Sequence, residues 1–521
     1  MMPIKAGPGI FVCSARMFAQ PSRMQSLPAF LRFLERQGEL CRIDTPVATA
    51  LEMTEIQRRV LAQQGPALLF TQPKLPDGRI SPVPVVTNLF GTAKRVRWGL
   101  SPREETVQQI AERLAWLRQP EAGNGLAQTL RDAPLREVLA MRPRLQRRAP
   151  AQQVVLRGEQ IDLRSWPIMQ CWPDEPAPLL TWPAVITRPP DDPRPTACNV
   201  GIYRMQVTGP RTALVRWLAH RGGAQHFQAW QRLGRDMPMA VAVGLDPGTL
   251  LSAVTPVPET LSEYQYAGLL RHERLGLVRA RTVPILVPAE AEIILEGYVS
   301  ATETAPEGPY GDHTGYYNDV EQFPVFHLTA ITHRRQPHYL STFTGRAPDE
   351  PAVISGVMND LVLPLLRKQF PEVVDFWLPP EACSYRIAVA SIRKRYPGQA
   401  RRLMLGLWSW LPQFSYTKLL ILVDDDIDCR SWHDVMWAVA TRMDASRDLL
   451  RIDDTPIDYL DFASPKAGLG GKLGIDATRK LPPETDRAWG QTLTMDAATR
   501  QRIDELWPEL GLHFPEPTCN G

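Results

Sequence analysis

The segment Trp182–Leu218 reads WPAVITRPPDDPRPTACNVGIYRMQVTGPRTALVRWL. It holds three short runs of strand-forming residues, Trp182–Arg188, Val200–Val207 and Ala213–Leu218, separated by turn clusters at Pro189–Arg194 and Thr208–Arg211. β-Branched and aromatic side chains fill the runs, and Pro, Gly and Asp fill the gaps, where an extended chain must stop and turn. Short consecutive strands joined by tight turns predict an antiparallel sheet or small barrel. Further strands are expected at Met239–Val243, Glu292–Gly297 and Val325–Ile331, with helical patterns at Ala224–Leu233 and Leu261–Leu270.

On either side the pattern changes to alternating helix and strand. Towards the amino terminus, Leu27, Phe30, Leu31 and Leu34 share one helical face over Leu27–Gln37, and Gly38 follows as a stop. A strand is expected at Leu40–Ile43, a helix at Leu51–Gln64, and strands at Ala67–Phe70 and Val83–Asn88. Towards the carboxyl terminus, helices are expected at Pro351–Phe370, Gln399–Leu411 and Trp432–Met443, and strands at Tyr385–Ile392 and Leu419–Val423. The expected class is mixed α/β (α+β): an α/β domain over 23–150, a strand-rich domain over 151–332 and a second α/β domain over 333–521, with 1–22 a flexible extension.

Composition narrows the function. The 521 residues include 59 basic and 56 acidic ones, a net charge of +3 that lacks the concentrated basic excess of a nucleic-acid binder. Only nine of the basic residues are lysines, so a lysine in an unusual place stands out. No apolar run approaches the ~18–20 residues needed to span a bilayer. Fifty prolines disfavour coiled coils, and the seven cysteines form no C-x-x-C pair and read as cytosolic thiols.

Several segments carry chemistry-bearing residues. In Asn199–Gln206 a regular strand puts Ile202, Arg204 and Gln206 on one face and Asn199 on the other; joining them at one site needs a bend, which Gly201 permits. A half-buried Arg204 needs a partner. In Arg216–Gly223, two arginines and His220 meet a helix start, suited equally to an anion or to a solvated basic loop. In Glu307–Tyr317, two carboxylates lie five residues apart in a Gly/Pro-rich loop, where a raised pKa would let one deliver a proton. Asp424–Asp428 has the D-D-x-x-D spacing of magnesium-binding prenyl-diphosphate enzymes, but it follows a strand and reads better as an acidic strand end. Ala467–Gly474 is glycine-rich but lacks the phosphate-loop pattern.

The chain resembles the UbiD family of carboxy-lyases. The resemblance rests on NVGIYRMQV (Asn199–Val207), RWLAHRGG (Arg216–Gly223), AVTPVPETLSEY (Ala253–Tyr264), LEGYVSATETAPEGPYGDHTGYY (Leu295–Tyr317), TGRAPDEPAV (Thr344–Val353), QFPEVVDFWLPPEACSYR (Gln369–Arg386) and TPIDYLDFASPKAGLGGKLGIDATRK (Thr455–Lys480). It implies a central split β-barrel of flavin-reductase type between two α/β domains. It implies prenylated FMN as cofactor, held with Mn²⁺ and often K⁺, and a partner flavin prenyltransferase that supplies it. By the same resemblance Asn199, Glu263 and His220 are the expected metal ligands. Ile202, Tyr203, Arg204, Arg216, Trp217, Leu218, Arg221 and Gly222, with Lys418, are the expected cofactor contacts; Arg204, Glu307 and Asp312 are the expected catalytic network. The implied reaction is non-oxidative decarboxylation of 3-polyprenyl-4-hydroxybenzoate in ubiquinone biosynthesis, by a homohexamer in the cytoplasm or peripheral on the inner face of the cell membrane. Alternatives are decarboxylation of another aromatic acid, FMN reduction, a prenyl-diphosphate activity using Asp424–Asp428, or a non-catalytic scaffold.

Overall fold

The computed structural model describes residues 24–101, 105–118, 133–194, 197–217, 222–255, 257, 261–410 and 412–511. The expected extension at 1–22 and the candidates Leu218, His220 and Arg221 lie outside these. Among the described residues, no helix is long and apolar enough to cross a membrane.

The central domain is built on nine strands: β1 (Val154–Arg157), β2 (Leu179–Leu180), β3 (Ala184–Thr187), β4 (Asn199–Ile202), β5 (Met205–Val207), β6 (Thr212–Val215), β7 (Met237–Val243), β8 (Ile293–Glu307) and β9 (Glu321–His333). Their order in the sheet is β4-β3-β7-β8-β9-β6-β5-β2, with β1 also pairing β9, and all the pairings are antiparallel. This corrects the single strand expected over Val200–Val207. The chain breaks at Tyr203 and Arg204, and its two halves belong to opposite ends of the sheet path. A two-residue link spans at most about 11 Å, so those ends must lie close together. The sheet therefore curls on itself into a half-barrel, and Arg204 sits in the seam.

β7 explains the long apolar runs of this domain. Its seven residues are all buried, and they alternate between two cores. Ala240 and Ala242 join Leu27, Phe30 and Leu34 of the first helix, whereas Met237, Met239, Val241 and Val243 face Met205, Val215 and Phe326 inside the half-barrel. β3 divides likewise, Ala184 and Ile186 to one side and Val185 to the other. A strand buried on both faces loses the usual polar alternation.

The N-terminal helix runs Leu27–Arg36; Ser26 Oγ accepts from the Ala29 amide at 3.4 Å, and Gly38 adopts φ +71° after the end. The adjoining sheet has the order Leu40–Ile43, Ala67–Phe70, Val85–Thr87, Tyr339–Leu340. Its last strand comes from beyond the half-barrel, pairing in parallel with Val85–Val86 before the helix Glu350–Gln369 leads into the C-terminal domain. There the sheet order is Val373–Trp377, Ile387–Ile392, Leu419–Asp424, Leu469–Ala477, Leu449–Pro456, the central three parallel and the edges antiparallel. Alternate residues again serve two faces: Leu420 and Leu422 pack with the helix Gln399–Trp410, Ile421 and Val423 with the helix Trp432–Arg442.

The long hairpin β8–β9 bends at a bulge, where Glu296 faces Ala330 and Gly297 faces Leu328, leaving Thr329 extra. A Cβ on Gly297 would stand 1.9 Å from the His327 carbonyl oxygen. Gly297→Ala is expected to force the strands apart at a cost of about 1–3 kcal/mol. A lowered urea midpoint checks this; an unchanged midpoint would show that the strands can relax.

Candidate active site

The hairpin ends at the pair Glu307–Glu321, and the loop beyond it is pinned at several points. The Gly308 amide donates to Gln206 Oε1 at 2.9 Å, the Tyr310 amide to Asn318 Oδ1 at 2.8 Å, and the Tyr310 hydroxyl to the Ala177 carbonyl at 2.9 Å. Trp172 covers Gly311 so closely that a Cβ there would lie 2.1 Å from the indole, whose nitrogen donates to the Thr344 carbonyl at 2.8 Å. The loop is thus a rigid mount for its side chains.

Arg204 joins this mount to the seam. Its Nε donates to Glu307 Oε1 and its Nη1 to Asp312 Oδ2, both at 2.8 Å. Glu307 is fully buried and takes a second guanidinium, Arg216 Nη1, at 2.8 Å. Two guanidiniums around one buried carboxylate give it the partners that burial requires. Asp312 also accepts from the backbone amide and Nδ1 of His313, at 2.8 and 2.7 Å. Burial pushes its carboxyl up, but the His313 hydrogen bond and the Arg204 charge outweigh this and hold it well below the usual range. A further carboxylate, Glu175, escaped the sequence reading. It accepts from the Cys171 amide at 2.7 Å and the Gly311 amide at 3.4 Å, and burial pushes it up to about 7. Its signal was weak, because an acid four residues from Cys171 in a Pro-rich turn resembles any capping residue.

A second cradle lies across β4. The Tyr203 ring packs over Gly201 and Gly223, where Cβ atoms would come within 2.6 and 3.1 Å, and its hydroxyl takes the Gly223 amide at 3.2 Å. Asn199 lies against Gly222, at which a Cβ would meet Asn199 Oδ1 at 2.3 Å. The Glu263 carboxylate reaches the Val200 amide, beside Asn199; burial pushes it up to about 7, and none of the groups that shift it is a cation. A buried carboxylate shifted by no cation suits a hard divalent cation. The structure sets Glu263 against the backbone of the strand that carries Asn199.

Comparison with known proteins supplies the family. The 3-octaprenyl-4-hydroxybenzoate carboxy-lyase N-terminal domain matches residues 31–114, the Rift-related domain 144–347 and the C-terminal domain 352–477. The chain belongs to the UbiD family of carboxy-lyases. Among solved structures, it resembles the UbiD-class enzyme HmfF from Pelotomaculum thermopropionicum in complex with FMN, at 29% identity and TM-score 0.76 over 92% of this chain and 99% of that one. It shares the fold of Sedimentibacter hydroxybenzoicus vanillic acid decarboxylase in closed form, at 24% identity and TM-score 0.79 over 94% and 99%. It shares likewise that of apo Klebsiella pneumoniae 3,4-dihydroxybenzoic acid decarboxylase, at 21% identity and TM-score 0.73 over 94% and 100%.

In this UbiD-family chain the C-terminal domain reaches the network. Tyr459 accepts from Arg216 Nη2 at 2.9 Å, Arg386 Nη1 donates to His313 Nε2 at 3.3 Å, and Phe462 meets Tyr316 edge-on with centroids 6.0 Å apart. Arg216 also donates to Glu321 at 2.6 Å, so its guanidinium is spent on Glu307, Glu321 and Tyr459. Trp217 packs edge-on to Tyr203, 5.9 Å between centroids, and the half-buried Ile202 packs against the core shared with the N-terminal helix. Lys418 pairs with Asp461 at 2.8 Å, in the same segment as Tyr459. The acids at 424–428 lie elsewhere. Arg442 holds Asp424 and Asp426, Arg479 also holds Asp426, Arg393 pairs Asp425, and Asp428 caps the Arg430 amide. The glycine-rich run forms the strand Leu469–Ala477, with buried Lys472 donating to the carbonyls of Ser415, Thr417 and Pro456.

Glu175 makes a pH prediction. The native protein keeps its proton up to about 7, while the unfolded chain loses it near 4.5, so its contribution to stability falls as pH rises between those values. Glu175→Gln imitates the neutral form. The variant is expected to match the parent at about pH 4 and to exceed it by up to about 3 kcal/mol at pH 8, measured by urea unfolding; parallel stability curves would contradict the buried-acid assignment.

Proposed function

We propose that the protein decarboxylates 3-polyprenyl-4-hydroxybenzoate to 2-polyprenylphenol, without net oxidation, as a step of ubiquinone biosynthesis. The observation that carries this reading is Arg204 held in the barrel seam between Glu307 and Asp312, within 2.8 Å of each. The long C-terminal matches and the aspartate at position 312 support the quinone branch. The neighbours whose names include vanillic acid and 3,4-dihydroxybenzoic acid keep other hydroxylated aromatic acids as the second reading.

Loss of CO₂ from a benzoate leaves an electron pair in the ring plane, where resonance cannot spread it. Prenylated FMN, when bound, supplies the electron sink for that pair. Asn199 and Glu263 would hold a Mn²⁺ ion, with His220 and K⁺ as further parts of the set; Tyr203, Trp217 and Gly222 wall the same cradle. Arg204 orients the substrate carboxylate. As the substrate carboxylate takes over the Arg204 Nη1 hydrogen bond, Asp312 loses one of the donors that keep it ionised and can hold a proton. Asp312 then delivers that proton to the ring carbon that CO₂ has left. Glu307, locked by Arg216, keeps Arg204 in place throughout. A flavin prenyltransferase would supply the cofactor, and a homohexamer with peripheral contact to the inner face of the cell membrane would bring the site to a lipid-tailed substrate.

Asp312→Asn is expected to keep the flavin absorbance of the holoprotein and lose CO₂ release by at least about 100-fold. Near-normal turnover in that variant would remove Asp312 as the acid. Consumption of NAD(P)H without CO₂ release in the parent would replace the whole reading by flavin reduction.

A further inference from the structure

Decarboxylation puts a proton where CO₂ was, so the group that protonates the ring must itself regain one from solvent each cycle. On the reading proposed above that group is Asp312, and its surroundings limit the route. Its side chain is 13% exposed. On one side stands Arg204, whose guanidinium does not give up protons at working pH. On the other stands His313, 22% exposed, with Nδ1 2.7 Å from Asp312 Oδ1. The charged groups facing the imidazole are Asp312 on its own loop, Arg386 from the C-terminal domain, and Asp349 at the start of the helix Glu350–Gln369.

The hydrogen bonds fix the tautomer. Arg386 Nη1 lies 3.3 Å from His313 Nε2. A guanidinium only donates, so Nε2 accepts, and the ring hydrogen sits on Nδ1, pointing at Asp312. While Arg386 donates to Nε2, the lone pair of that nitrogen is engaged and not open to water. Arg386 is itself fixed within the C-terminal domain, by Asp458 at 3.3 Å and the Cys383 carbonyl at 3.2 Å, and Tyr385 donates to the same Asp458 at 2.9 Å. Among the described residues, the cover on the outer nitrogen of His313 is thus carried by a different domain from His313.

We infer that His313 is the proton relay that recharges Asp312, and that Arg386 locks this relay for as long as the C-terminal domain is seated on the half-barrel. When Arg386 withdraws, Nε2 takes a proton from water and the imidazolium passes its Nδ1 proton to Asp312 Oδ1. That leaves a neutral ring with hydrogen on Nε2, and exchange with solvent restores the Nδ1 form before Arg386 returns. No electrons change hands; one solvent proton enters for each CO₂ that leaves. His313 does not touch substrate: it acts through Asp312, and Arg386 acts through His313.

The test uses the holoenzyme, with flavin absorbance confirming equal cofactor content. His313→Ala is expected to lower kcat by about 100-fold with KM little changed, and added imidazole to restore kcat in proportion to its cationic fraction. His313→Asn, which keeps an N–H donor for Asp312 but cannot carry a proton, is expected to remain slow. Full activity in His313→Asn, or no recovery of His313→Ala with imidazole, would overturn the relay. Asp312→Asn separates the two levels: if it turns over normally the acid assignment itself fails, and if it is inactive while His313→Asn is normal, only the relay fails. The lock has a readout without turnover. Diethyl pyrocarbonate should modify His313, followed by peptide mass spectrometry, several-fold faster in Arg386→Gln than in the parent; equal rates would remove the lock.

Discussion

The structure turns on one half-buried guanidinium. Arg204 stands where a two-residue link carries the chain from one end of a curled sheet to the other, and it is 2.8 Å from two carboxylates, one at the end of β8 and one in the loop beyond it. An unpaired cation there would be costly, so the closure of the sheet, the length of β8 and β9 and the pinning of their loop are conditions on each other. Glu307 is satisfied only if Arg204 and Arg216 both reach it, and they come from the strand break and the end of β6, respectively. The half-barrel and the charge network are the same feature seen at two scales.

Two carboxylates in this site answer oppositely to burial. Asp312 has a histidine donor and a guanidinium and is held low; Glu175 has amide donors and is pushed up to about 7. The contrast is one of partners, since both are largely buried. It separates a group whose charge the network sets from a group that holds its loop in place as a neutral acid.

Much of this was legible in the sequence. Period-3.6 faces located the helices Leu27–Arg36, Gln399–Trp410 and Trp432–Arg442 within a residue or so, and local turn signals located most strands. The motif matches pointed to Arg204, Glu307 and Asp312, which the structure brings together. The break at Tyr203–Arg204 was not legible, because IYRM has the propensity of an uninterrupted strand and only pairing with two distant partners divides it. Nor were Tyr459, Arg386 and Glu175. Their roles depend on contacts across 243, 73 and 136 residues of chain, and nothing local distinguishes them from ordinary surface groups. The acids at 424–428 show the converse: their spacing is suggestive, yet Arg442, Arg479 and Arg393 already neutralise them.

The proposed reaction needs one forked cation bridging Glu307 and Asp312. Arg204→Lys keeps the charge but loses the fork, so it can satisfy one carboxylate at a time. The most direct measurement is the release of ¹³CO₂ from carboxyl-labelled 3-polyprenyl-4-hydroxybenzoate by this variant, with flavin content held equal to the parent. A loss of at least about 100-fold at unchanged cofactor occupancy is expected. Release within twofold of the parent would contradict it.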